Sequence, residues 1–145
     1  MKGILFGICL SLVVFIGGCS KTPPTGPWAG TYINVLGATD SFSTVTITYT
    51  GSNTVDVLFK IYQFSYVYSA VTLHNVALTG TSATFAQKQH IIEATDQGNF
   101  NIQGNLSFST QPAGNQIILS AVATNITTNN PADTKNYQFT GLKPN

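Results

Sequence analysis

The chain has 145 residues, a net charge of +1 and only 8% charged residues. It contains no arginine, and its lysines are scattered, so it lacks the basic stripe of a nucleic-acid binder and the polybasic cluster that adheres to anionic membranes. Thr, Ser, Asn and Gln interleave instead with Val, Ile, Phe and Tyr, a mixture suited to strands with one wet and one dry face.

Met1 and Lys2 begin a leader with a single positive side chain, followed by the apolar run Ile4 to Ile16. That run is too short to span a bilayer, which takes about 20 apolar residues. It fits the apolar region of a secretory signal with small residues at its end. Ile16-Gly17-Gly18-Cys19 resembles the lipobox of bacterial lipoproteins: an aliphatic residue, two small residues and a cysteine that becomes the mature N-terminus. The resemblance implies a signal peptide over 1–18 and acyl chains, palmitate among them, on Cys19. Several chains would then hold the protein at the membrane, since one alone anchors only marginally. Ser20 follows the cysteine, where an aspartate would signal retention in the inner membrane. The expected location is therefore the outer membrane, facing the periplasm. Cys9 leaves with the signal and Cys19 is lipidated, so no disulfide is expected and the fold must rest on a core alone.

Residues 19–27 form a lipidated, proline-rich tether, extended and without a core of its own. The domain, 28–145, opens at Trp28. From there the period is two. Val45, Ile47 and Tyr49 share one face against threonines on the other; Gly51-Ser52-Asn53 supplies a turn; Val55, Val57, Phe59 and Ile61 alternate with polar residues. These features predict a hairpin across 44–61. Val71 to Leu78 is a less one-sided strand, Gly80 to Ser82 a turn, and Ala83 with Phe85 a short strand. Phe100, Ile102, Leu106 and Phe108 share a face, Pro112-Ala113-Gly114-Asn115 turns the chain, and Ile117, Leu119, Ala121 and Ala123 follow. Asn129-Asn130-Pro131 breaks it again before a last strand with Tyr137 and Phe139. The fold expected is all-β: an antiparallel up-and-down meander of about eight strands, closed or nearly closed as a barrel, with a β-sandwich as the alternative.

With the strands placed, the chain resembles the small bacterial lipocalin-like (calycin-like) lipoproteins over most of 28–142. The resemblance rests on the lipobox, the tether and the opening motif Trp28-Ala29-Gly30-Thr31-Tyr32. Val45-Thr46-Ile47-Thr48, Thr54-Val55-Asp56-Val57, Val76-Ala77-Leu78-Thr79-Gly80 and Gln138-Phe139-Thr140-Gly141 follow in the expected order. Gly26-Pro27-Trp28 matches the glycine-any-tryptophan start of lipocalins, which implies that Trp28 plugs the closed end of the barrel. The lipocalin threonine-aspartate-tyrosine loop and the late arginine over the tryptophan are absent.

Tyr62, Phe64, Tyr66 and Tyr68 fall at period two, so on one extended segment they would point the same way. Such a stripe suits a pocket mouth or a protein interface, against the simpler reading that the rings fill the barrel. His90, Glu93 and Asp96 are three residues apart and cannot share a ligand sphere on a strand; the stretch from Gln87 to Gln97 reads as solvated loop. His74, alone in an apolar strand, reads as a hydrogen-bonded structural residue. No Gly-x-Ser-x-Gly elbow is present, no thiol would remain once Cys9 is removed and Cys19 acylated, and the five acids are scattered. No catalytic residue, metal ligand or cofactor is assigned. The function expected is non-enzymatic binding of a hydrophobic or amphipathic small molecule. The alternative is an accessory lipoprotein that offers its aromatic stripe to another envelope protein, and a hydrolase comes last.

Overall fold

The computed structural model describes residues 25–35, 43–63, 66–92, 97–128 and 134–143, with 61–63, 66–69, 91, 92 and 97 described as backbone alone. The leader, the lipobox with Cys19 and most of the tether lie outside the described residues, as do Phe64, Glu93 and Asp96.

The described chain is all-β. Its strands are β1 (Gly30–Asn34), β2 (Thr44–Tyr49), β3 (Thr54–Gln63), β4 (Tyr66–Ala77), β5 (Ser82–Ile92), β6 (Gln97–Gln111), β7 (Gly114–Asn125) and β8 (Thr134–Lys143). All pairings are antiparallel, in the order β4-β3-β2-β1-β8-β7-β6-β5. The sheet curls into a nearly closed barrel, with β4 and β5 meeting at the seam. The expected meander is therefore observed, as a barrel and not a sandwich.

Alternation decides which residues enter the core. Val45, Ile47 and Tyr49 on β2 are buried, as are Val55, Val57 and Phe59 on β3, Ile117, Leu119, Ala121 and Ala123 on β7, and Tyr137 and Phe139 on β8. Each fully buried Val, Leu, Ile or Phe contributes about 1.5–3 kcal/mol. Every buried apolar side chain among the described residues lies between Tyr32 and Phe139, so the barrel carries its own core. The outward positions of the same strands carry Thr31, Thr46, Thr48, Asn105, Ser107 and Gln138, with Ile33 and Ile118 exposed among them.

Three local readings change. The strand at Val71–Leu78 begins already at Tyr66, and its uneven sidedness has a cause: Val55 pairs with Val76 and Val57 with Leu73, so β4 carries an extra residue. The phase slips from Val71 and Leu73 to Val76 across this bulge, where Asn75 adopts a left-handed φ of 51°. Asparagine tolerates that conformation better than most residues. The second change concerns Gln87 to Ile92, which belong to β5 and not to a loop; His90 pairs with Asn99. The third concerns the aromatic segment. Gln63 pairs with Tyr66 and Tyr62 with Val67, so the chain reverses between β3 and β4. Tyr62 and the pair Tyr66 and Tyr68 thus sit on two arms of a hairpin and not on one extended strand.

Candidate functional site

An up-and-down barrel has two ends, and this chain makes them different. The lower end gathers the start of β1, the β2–β3 turn, the β4–β5 turn and the β6–β7 turn. Trp28 lies at this end, stacking on Phe108 with ring centroids 5.1 Å apart and 11° between planes. The segment around Trp28 is fastened through its backbone. The Tyr32 hydroxyl donates to the Trp28 carbonyl at 3.0 Å, Asn115 Nδ2 to the Pro27 carbonyl at 3.0 Å, and Lys143 Nζ to the Ala29 carbonyl at 2.6 Å. The cation near the end of β8 that holds this segment is thus a lysine, in a chain without arginine.

Trp28 is partly buried against the core, not fully enclosed. Trp28→Ala is therefore expected to cost about 2–3 kcal/mol, below the 3–5 kcal/mol of a fully buried tryptophan. A urea unfolding midpoint unchanged from wild type would show that the ring does not cap the barrel.

Tyr32 reports on the same end. Burial, and secondarily the neighbouring Tyr49, pushes its phenol up to about 12 from 10.0. The folded barrel thus favours the neutral phenol, and that contribution is complete below pH 10 and lost as pH rises from 10 to 12. Each pKa unit is worth about 1.4 kcal/mol, so wild type should lose about 2–3 kcal/mol more than Tyr32→Phe over that interval. Parallel pH profiles of the two unfolding midpoints would contradict this.

The middle of the barrel is filled. Phe59 and Tyr137 meet across it at 5.4 Å, and Val45, Phe100, Ile102 and Leu119 are fully buried around them. Above this floor the inward positions change character. Among the residues whose side chains are described, continuing the alternation upward brings Asn34 on β1, Ser43 before β2, Gln89 on β5, Gly98 on β6, Asn125 on β7 and Lys135 on β8. Ser43 and Asn125 are buried, at 0% and 6% exposure. Asn125 is also structural: its Oδ1 accepts from the Thr127 and Thr128 backbone N–H groups at 2.8 and 3.3 Å, ordering the start of the β7–β8 connection. At these described positions the upper interior carries amides, a hydroxyl, a glycine and a lysine, where the lower interior is apolar.

The tip of the β3–β4 hairpin stands at this upper end, so the structure places Tyr62, Tyr66 and Tyr68 opposite Trp28. His90 is also near this end. It is exposed, its Nδ1 lies 3.1 Å from Asn99 Oδ1, and among the described residues no three His, Cys, Asp or Glu side chains gather as a metal-binding group. His74 lies lower, at the seam, with Nδ1 3.1 Å from Asp56 Oδ2.

Sequence reasoning passed over Asp56 and Gln87. Asp56 Oδ1 accepts from the Asn75 backbone N–H at 2.9 Å, so its carboxylate caps the bulge. Gln87 spans the seam: Oε1 accepts from the His74 N–H at 3.0 Å and Nε2 donates to the His74 carbonyl at 2.6 Å. A polar residue in the inward row that already contains Ala83 and Phe85 was the available signal.

No protein-family model matches the chain, and no curated protein or solved structure is matched by it either.

Proposed function

We propose that this is a lipid-anchored outer-membrane lipoprotein of the bacterial lipocalin-like kind, a non-enzymatic binder of an amphipathic small molecule at the upper mouth of its barrel. Cys19 carries the acyl chains, and the barrel faces the periplasm. One observation carries the reading: among the described side chains, the interior passes from apolar residues under Trp28 to Ser43, Gln89, Gly98 and Asn125. A ligand seated there would rest its apolar part on the floor of Phe59, Phe100 and Tyr137, and keep its polar part among amides and hydroxyls. The packed middle limits it to the mouth. Apolar pockets with a few placed polar groups at barrel mouths are a recurrent solution for small ligands.

Native mass spectrometry of the chain from Ser20 onward tests this. The expected result is a co-purified mass that organic extraction removes; a bare protein in every preparation contradicts it.

A second reading is favoured by the hairpin standing at the end away from Trp28 and the tether. An accessory lipoprotein would there present Tyr62, Phe64, Tyr66 and Tyr68 to another envelope protein. A photocrosslinker at Tyr66 that captures such a protein, in a barrel without any small molecule, would favour it.

A further inference from the structure

Among the described residues, β4 and β5 are the two ends of the hydrogen-bonded strand order, so the barrel wall has a seam between them. Among the described residues no backbone ladder joins the two strands, and the Thr79–Ser82 bridge closes only their lower ends. Higher up, the Gln87 side chain stands in for a strand. Its amide offers a carbonyl to the N–H of His74 and an N–H to the carbonyl of His74, as a residue of a neighbouring strand would. Gln89 Nε2 donates to the same Gln87 oxygen at 3.2 Å and steadies it.

On an antiparallel strand alternate residues turn both backbone groups to the same side. Both backbone groups of His74 face the seam, on Gln87, so by this alternation those of Thr72 and Ala70 face it too, while those of Val71 and Leu73 turn to β3. Among the described residues no hydrogen bond reaches Ala70 or Thr72 from β5. An edge of this kind is a template for strand addition.

Charge selects the occupant. Lys60, paired beside Ala70 on β3, and Lys88 on β5 are both exposed and flank the seam. Neither has a hydrogen-bonding or carboxylate partner among the described residues. The described acid on this side, Asp56, is engaged by His74 and Asn75.

We propose that the β4–β5 seam above Gln87 binds an extended acidic peptide segment of another protein. The peptide would pair with the backbone of Ala70 and Thr72, and its carboxylates would lie between Lys60 and Lys88. The seam borders the mouth at Gln89, but the pairing with Ala70 and Thr72 does not depend on the small-molecule reading.

Hydrogen exchange of the chain from Ser20 onward, with a capped hexapeptide of alternating valine and glutamate at millimolar concentration, tests it. The expected result is exchange slowed about tenfold or more at Ala70 and Thr72, with the lysine counterpart of the peptide inactive. Ala70→Pro removes a seam-facing N–H and leaves the β3 ladder intact; it should fold, as judged by circular dichroism, and lose the protection. Lys60→Glu with Lys88→Glu should weaken binding about tenfold or more without moving the unfolding midpoint appreciably. Absence of protection with the glutamate peptide, equal protection by the lysine peptide, or protection that survives Ala70→Pro would each overturn the proposal.

Discussion

Gly104→Val is expected to prevent the barrel from reaching its native packing. Gly104 faces inward midway along β6, and a Cβ built there would collide with the Ser120 carbonyl oxygen and lie 2.8 Å from Ala121 Cα. Both atoms belong to the backbone of β7, so neither can rotate aside. The third neighbour is the Phe85 ring at 3.0 Å, which occupies the volume that a side chain at this position would need. Overpacking a sound core costs about 1–3 kcal/mol when side chains can adjust. Here a strand must move, and the loss should be about 4 kcal/mol or more for valine, against a typical total stability of 5–15 kcal/mol. Gly104→Ala should lose about 2–4 kcal/mol and remain measurable by urea unfolding. Gly80 provides the contrast. Its φ is +61° with open space around it, so Gly80→Asn should cost well under 1 kcal/mol because asparagine tolerates that conformation. A Gly104→Val protein with a wild-type unfolding midpoint would show that β6 and β7 do not approach as closely as described.

Cys19→Ser should have the largest effect on location. If acyl chains on this residue are the anchor, the variant loses incorporated palmitate and leaves the outer-membrane fraction. One chain of fourteen carbons binds only marginally, and each buried methylene adds about 0.8 kcal/mol, so removing all chains at once should shift the distribution from nearly all bound to nearly none. Retention of the variant in the outer membrane would mean that something other than acylation keeps the protein there.

The parts of this fold that alternation could reach were legible. Val45, Ile47 and Tyr49, Val55 to Phe59, and the rows on β6, β7 and β8 repeat with period two because one face meets the core and the other meets water. Where that contrast fails, so does the signal. Gln87, Lys88, Gln89 and His90 read as loop because β5 runs along the seam, where its inward row turns polar to bridge a gap instead of filling a core. The bulge at Asn75 displaced Val76 from the phase of Leu73, which made β4 look buried on both sides. The even spacing of Tyr62, Phe64, Tyr66 and Tyr68 suggested a single strand, since Phe64-Ser65 carries none of the glycine, proline or asparagine that usually marks a reversal. The site followed the same division. Trp28 announces the lower end by its place after Gly26-Pro27, whereas the polar positions of the upper end come together only when six separate strands are brought into register.

Amide chemical-shift mapping of the chain from Ser20 onward, titrated with a single-chain lysophospholipid below its micelle threshold, probes the mouth directly. Shifts should concentrate at the upper strand ends, at Ser43 to Val45, Gln89, Gly98 to Phe100, Ala123 to Asn125 and Lys135 to Tyr137, and leave Trp28, Phe108 and Asn115 unmoved. Shifts centred on the Trp28 end, or none anywhere at saturating lipid, would contradict a barrel that is sealed below and binds above.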